Sequence, residues 1–108
     1  MSDFNEIFEE LKKGIVSLAE NNLKEFKDQA ISSGMDFLEQ SKDEIKLWTE
    51  ELATGQMSKE DFEWLVKGKK DLAELIILKE KGLAKSQVDK FTNGVCDVLI
   101  STAFRNLL

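Results

Sequence analysis

The chain contains no proline, no histidine and no tyrosine, and only one of its 108 residues is cysteine. Without proline, the residue that most strongly breaks helix interiors is missing, and long helices are permitted. Without histidine, the commonest general base and metal ligand is missing, so Ser–His and Cys–His catalytic arrangements are excluded. Cys96 has no partner for an internal disulfide and lies among apolar residues, which indicates a buried thiol in a reducing compartment.

Other signatures of chemistry are also missing. The six glycines stand singly, so the chain has no glycine-rich phosphate loop, and its acidic residues show no calcium-loop pattern. Adjacent carboxylates such as Glu9 and Glu10 point about 100° apart on a helix and do not converge on one site. We therefore predict no catalytic residue, no cofactor and no metal, and we expect that the protein is not an enzyme.

From the sequence we expect neither a membrane-spanning segment nor an export signal. No apolar run approaches the roughly 20 residues that cross a bilayer, and residues 1–6 are acidic where a signal peptide would be basic. We therefore expect a cytoplasmic protein. The net charge of −6 comes without a basic stripe, and an acidic chain repels the phosphate backbone, so we predict no binding of nucleic acid.

The second half of the chain, residues 58–108, predicts an antiparallel helical hairpin. Gly55 suits the left-handed position after a helix end, and Ser58 is a good N-cap for a first arm over about 59–81. Gly82 is expected to end that arm, and the second arm follows over about 86–107. Since the connection is about four residues long, the two arms are neighbours.

The first half, residues 1–53, carries an eleven-residue repeat. Large apolar residues occupy one of its positions: Phe4, Ile15, Phe26, Phe37 and Trp48. A second series follows four positions later: Phe8, Ala19, Ala30, Ser41 and Leu52. Eleven residues complete three helical turns, so both series stay on one face of a nearly straight helix. The repeat predicts one continuous amphipathic helix over about 3–53, with any bend at residues 32–34.

Such a helix would be longer than the hairpin that covers it. About 50 residues span about 75 Å, whereas each hairpin arm spans about 33 Å. Each large side chain left in water forgoes about 1.5–3 kcal/mol. We therefore expect a single all-α domain over residues 1–108 that self-associates into a helical bundle, as a dimer or a tetramer. Its predicted function is that of a non-catalytic structural or protein-interaction module.

We predict that the interface, with a second copy or with an unidentified protein partner, contains the following residues: Phe4, Phe8, Ile15, Phe26, Phe37, Trp48, Trp64 and Phe104. Trp48 and Trp64 have two interpretations, either apolar filler where helices meet or a contact hot spot. The basic cluster of Lys67, Lys69 and Lys70 beside Trp64 is typical of a solvated helix face, although it could also pair with the acidic first half.

Two alternatives remain. In periodicity alone, residues 4–52 resemble exchangeable lipid-binding proteins such as apolipoproteins and synucleins, which implies binding to a lipid surface. The chain departs from them in its bulky Phe and Trp residues and in its acidic polar face, which anionic lipids repel, so we rank a membrane surface low. In the other alternative the chain folds back at residues 32–34 into a compact four-helix bundle, which needs no partner and could hold a small apolar ligand.

Overall fold

A computed structural model describes residues 3–77 and 84–107 of the chain, and within these ranges it is helical without a strand. The described α-helices are α1 (Phe4–Asn22), α2 (Lys27–Gln40), α3 (Lys42–Ala53), α4 (Lys59–Gly68), α5 (Lys70–Ile77) and α6 (Lys85–Leu107), and a 3-10 turn covers Lys24–Phe26. The predicted all-α fold is confirmed.

The first helix, α1, begins where the sequence supplies an N-cap. Asp3 has an extended backbone, and its carboxylate accepts a hydrogen bond from the Glu6 amide, with 2.9 Å between Oδ1 and N. Such a cap satisfies one of the amides that a helix start leaves without a partner. The buried residues of α1 recur every three or four positions, so the helix presents one apolar face to the core: Ile7, Phe8, Leu11, Ile15 and Ala19.

The prediction of one continuous helix over 3–53 is wrong. The helix is interrupted at Leu23–Phe26, where the chain folds back, and again at Ser41 between α2 and α3. The physical reason is burial, because the fold-back allows α1 and α2 to bury their stripes against a shared core. Ile15 of α1 retains 1% of its exposed area and Phe37 of α2 retains none.

The fold-back that the compact-bundle alternative placed at residues 32–34 is wrong in its position, since α2 runs through Ser32, Ser33 and Gly34 without interruption. Gly34 is buried where α2 crosses α1: a Cβ built on it would lie 2.5 Å from Cγ2 of Ile15. Glycine is needed here because only a residue without a Cβ permits this approach. The residue that suggested a break is therefore a packing position inside a helix.

Two further glycines mark the contact between α1 and α6. A Cβ on Gly14 would lie 2.7 Å from Val98, and a Cβ on Gly94 would lie 2.7 Å from Leu18. Since a later residue of α1 meets an earlier residue of α6, the two helices run antiparallel. Their close approach leaves α1 packed on both α2 and α6.

The two predicted hairpin arms agree with the structure to different extents. The first arm, expected over 59–81, is divided at Lys69 into α4 and α5, and its predicted end at Gly82 lies outside the described residues. The second arm, expected over 86–107, corresponds to α6. The prediction of two helices is thus refined to three in the described part of this half.

α4 packs antiparallel on α6. The ring centroids of Phe62 and Phe104 lie 5.9 Å apart, and the Cys96 thiol donates to the carbonyl oxygen of Val66 with 3.7 Å between Sγ and O. Phe62 precedes Val66 on α4, whereas its partner Phe104 follows Cys96 on α6, so the two helices run in opposite directions. The apolar side of α4 is thereby turned to the core.

The core collects side chains from helices across the chain. Three phenylalanines from α2, α4 and α6 are almost wholly buried, namely Phe37, Phe62 and Phe91. The radius of gyration over Cα atoms is 13.5 Å, close to the roughly 13 Å expected for a globule of this length. The uncovered stripe from which we inferred a second chain is therefore not a feature of this fold.

Candidate functional site

Two large apolar side chains on the described surface are mostly exposed. Trp64 on α4 retains 76% of its accessible area and Leu47 on α3 retains 53%. Single exposed leucines are ordinary on protein surfaces, but an exposed tryptophan is unusual because its ring is the largest apolar surface that a residue carries. Exposed tryptophans of this kind are typical of contacts with a partner.

The start of α4 fixes the direction in which Trp64 points. Ser58 is the N-cap, and its hydroxyl oxygen accepts from the Asp61 amide with 3.1 Å between Oγ and N. Phe62 and Val66 are the buried residues of this helix. Trp64 is two positions from each of them, which places it about 200° around the helix. Because the core takes the other two, Trp64 must face outward.

An open groove of about 540 Å³ lies beside Trp64, with walls from α3 and α4. Its lining residues are Glu44, Trp48, Trp64, Leu65, Lys67, Gly68 and Lys69. Trp48 is partly buried and packs against the core, so it forms a fixed apolar wall. At Gly68 a Cβ would meet nothing within 4 Å, so the α4 end of the groove is open. We call this groove the Trp64 surface.

Charges border the Trp64 surface on one side. Lys69 forms an ion pair with Glu44, and its ammonium group lies 5.9 Å from the centroid of the Trp48 ring. Lys69 is therefore held over the groove by a carboxylate and an aromatic face. Lys67 is exposed at the same rim and forms no ion pair with any residue in the described ranges. The rim is thus locally basic on a chain whose net charge is −6.

The basic cluster that the sequence suggested is divided between two roles. Lys69 pairs with the acidic first half through Glu44, as one of the two interpretations had it. Lys70 pairs within its own helix with Glu74, at 3.6 Å between Nζ and Oε1.

The predicted interface residues do not form one surface. Phe8, Ile15 and Phe37 lie in the core with at most 4% of their area exposed, which leaves them out of reach of a partner in this fold. Four more are partly buried against that core, namely Phe4, Phe26, Trp48 and Phe104. The groove brings together Trp48 and Trp64 and none of the other six.

Sequence reasoning missed several residues of the Trp64 surface. Leu65 was not singled out, and neither was Leu47, an exposed residue of α3 that lies outside both series of the eleven-residue repeat. An apolar residue off the stripe was a signal at Leu47. For Leu65 no such signal exists, because its neighbour across the groove, Trp48, comes from a distant part of the chain.

Outside the Trp64 surface, Cys96 is shielded from solvent and Glu10 is paired. Burial raises the pKa of the Cys96 thiol, which keeps it protonated and weakly nucleophilic. Arg105 donates to Glu10 with 2.6 Å between Nη2 and Oε2, and this bond, with a second from Asn106, lowers the pKa of the Glu10 carboxyl. Across residues 3–77 and 84–107 no three acidic or cysteine side chains are grouped so that they could hold a metal ion.

None of the helices in these two ranges is both long enough and apolar enough to cross a membrane. Comparisons of the chain with protein-family models, with curated proteins and with solved structures found no match.

Proposed function

We propose that this chain is a non-catalytic protein-interaction module of the cytoplasm, and that a partner protein binds at the Trp64 surface. The observation that carries the proposal is the 76% exposure of Trp64. A tryptophan offers about 200 Å² of contact area. At about 25 cal/mol per Å², leaving three quarters of that area in water forgoes roughly 3–4 kcal/mol. A partner that covers the ring recovers this free energy.

The composition of the Trp64 surface favours a protein as the partner. Binding hot spots are enriched in tryptophan and are bordered by polar groups that exclude water. Here Trp64 and Leu65 form the apolar centre, while Glu44, Lys67 and Lys69 form a border that carries both signs of charge. A rim of this kind can pair with charges of a protein partner and fix its orientation.

The lipid-surface alternative loses its main support in this fold. It required an exposed apolar stripe along the first half of the chain, and that stripe contributes Ile15 and Phe37 to the core. The cytoplasmic assignment is supported by Cys96, a free and buried cysteine of the kind that a reducing compartment maintains.

The test is site-specific photocrosslinking in the native host. A photoreactive amino acid replaces Lys67 at the groove, and in a matched control it replaces Glu20, which is exposed on α1 and lines no part of the groove. We expect a covalent adduct with another protein from position 67 and none from position 20. Adding Trp64→Ala should remove the adduct at position 67.

Trp64→Ala should leave the fold intact, because the side chain is mostly in water, and circular dichroism with thermal unfolding checks this point. An adduct at position 67 that persists at full yield with Trp64→Ala would overturn the proposal. Equal adducts from positions 67 and 20 would overturn it as well, since they would report crowding rather than a surface.

A further inference from the structure

The connection between α1 and α2 contains none of the residues that normally stop a helix. From Leu23 to Lys27 there is neither glycine nor proline, and in the described ranges the only residue with positive φ is Gly55. No side chain caps the start of the 3-10 turn or the start of α2. The fold-back is therefore held by tertiary packing, that of α1 on α2 and α6 and that of the buried Leu23 side chain in the core, and not by a local stop signal.

The same connection is already close to helical. The Leu23 amide still donates to the Ala19 carbonyl at 2.9 Å, as it would inside a helix, and Lys27 has helical angles of φ −54° and ψ −50°. Leu23, at φ −135° and ψ 55°, and Phe26, at φ −117° and ψ 24°, leave the helical region. Rotation about a few bonds would join α1 to α2.

The eleven-residue repeat passes through this connection without losing its phase. Ile15 and Phe37 lie eleven residues before and after Phe26, and Ala19 lies eleven before Ala30. In a continuous helix such residues would also share one face, since eleven residues complete three turns. The sequence is therefore compatible with two states of the same segment, a fold-back and a straight helix.

A straight helix does not fit within one folded copy. From residue 4 to residue 40 it would be about 55 Å long, whereas the longest dimension of the folded chain is 42 Å. The extended α1 would project away from its own α6, and the surface that α1 leaves on α6 would be uncovered. A second copy in the same state offers the α1 that fits there.

We propose that two copies of this chain exchange α1, with residues 23–26 straightened into one continuous helix from α1 to α2. Each α1 then packs on α6 of the partner copy through the contacts seen within one chain. These are the close approaches of Gly14 to Val98 and of Gly94 to Leu18, with the Glu10–Arg105 bond at the end. The contacts of α1 with α6 are thus retained, and only those of residues 23–26, including the buried Leu23, change. An exchange of this kind needs little new interface, which is the usual basis of such dimers.

The first experiment measures mass by light scattering during size-exclusion chromatography, after incubation at high protein concentration near the midpoint of unfolding. The variants are Lys24→Pro and, as the matched control, Lys24→Ala; both remove the same exposed side chain. Proline fits the first position of the 3-10 turn, where the structure shows no hydrogen bond from the Lys24 amide among the turn contacts. Inside a continuous helix it clashes with the preceding turn.

We expect dimers from the natural chain and from Lys24→Ala, and a population of dimer lower by about a hundredfold or more from Lys24→Pro. Equal dimer from all three would overturn the proposal, because association would then not require a straight helix. A natural chain that stays monomeric under these conditions would overturn it too.

A second experiment distinguishes exchange from ordinary side-by-side association. Gly14→Ala places a methyl group against Val98 of the same chain, and Val98→Ala, made in a separate chain, leaves space at that point. When the two variants are mixed, exchange puts the added methyl group into the space of the other chain. We expect heterodimers above the share that random pairing gives, measured by native mass spectrometry. A share at or below the random value would overturn the exchange, and Trp64→Ala should not change it.

Discussion

The connection at Thr54–Ser58 and the connection at Leu23–Phe26 each separate two helices, yet they are built from different residues. After α3, Gly55 adopts φ 81° and its amide donates to Leu52, while the Gln56 amide returns to Glu51 at 2.9 Å. This pair of bonds is a Schellman motif, and Ser58 then caps α4. At Leu23–Phe26 there is no left-handed residue and no capping side chain.

The difference teaches that a helix can end for two separate reasons. At Gly55 and Ser58 the stop is specified by local residues, which would favour it even in a short peptide. At Leu23 the stop is favoured only because α1 gains contacts with α2 and α6 when the chain turns. Mutations should therefore act on the first connection locally and on the second from a distance.

The largest effect should come from the crossing that holds the second connection. Gly34→Ala places a Cβ 2.5 Å from Cγ2 of Ile15, so the free energy of unfolding should fall by about 1–3 kcal/mol. The control is Gly68→Ala, where nothing lies within 4 Å of the new Cβ and the helix should gain up to about 1 kcal/mol. Urea unfolding measures both, and an equal loss in the two variants would contradict the crossing as the cause.

The next largest effect is expected at the Thr54–Ser58 connection, which local residues specify. Gly55→Ala forces a residue with a Cβ to adopt φ 81°, which should lower the free energy of unfolding by about 1–2 kcal/mol. Lys24→Ala, in the other connection, should change it by less than about 0.5 kcal/mol, since the side chain is exposed. Thermal and urea unfolding of the two variants give the difference. If Lys24→Ala proved the more harmful, the distinction between the connections would be lost.

Two serines that precede helices, Ser58 and Ser41, differ in whether the side chain caps the helix that follows. Ser58→Ala removes the bond to the Asp61 amide and should cost about 1 kcal/mol of stability. Ser41, before α3, is buried, and its hydroxyl oxygen has no hydrogen-bond partner in the described part of the chain. Ser41→Ala should therefore be neutral or stabilising by about 1 kcal/mol. Chemical unfolding checks both signs, and a loss at Ser41 as large as at Ser58 would contradict the assignment.

The smallest effect concerns an exposed bond between α1 and α6. The Arg105 bond lowers the pKa of Glu10 in the folded protein below its value in the unfolded chain. The carboxylate therefore stabilises the fold above the unfolded pKa, and this stabilisation is lost as the pH falls through the folded pKa. Arg105→Gln should make the acid limb of stability shallower, as urea unfolding at about pH 7 and about pH 3 would show. An unchanged slope would mean that solvent screens the pair completely.

The sequence predicted the connection that its residues specify and missed the one that packing imposes. Gly55 and Ser58 were sufficient to place the break before α4, and the apolar spacing identified α6. The only local signal near Leu23 is the weak helix formers Asn21 and Asn22, and it is outweighed by the absence of glycine or proline and by the unbroken repeat. Gly34 indicated a break that is not there, because close helix crossings require the same residue that turns do.

The candidate site was likewise predicted from the sequence only in part. Trp48 and Trp64 were identified from their residue type, and the structure places both on one groove. Their different exposures could not be predicted, because the exposure of Trp64 depends on which face of α4 the core takes. The core positions Phe8 and Phe37 were taken for interface residues because the stripe was assigned to a helix that the chain does not form.

The two tryptophans also provide the protein with its own spectroscopic reporters. Since the chain has no tyrosine, light absorbed at the red edge of the aromatic band excites only Trp48 and Trp64. Trp64 lies mostly in water and should emit as a solvated indole, whereas Trp48 is partly enclosed beside Lys69. Emission wavelength, quenching by iodide and anisotropy should then distinguish Trp64 from Trp48 without any added dye. Occupation of the groove should be visible as a blue shift of the more exposed indole.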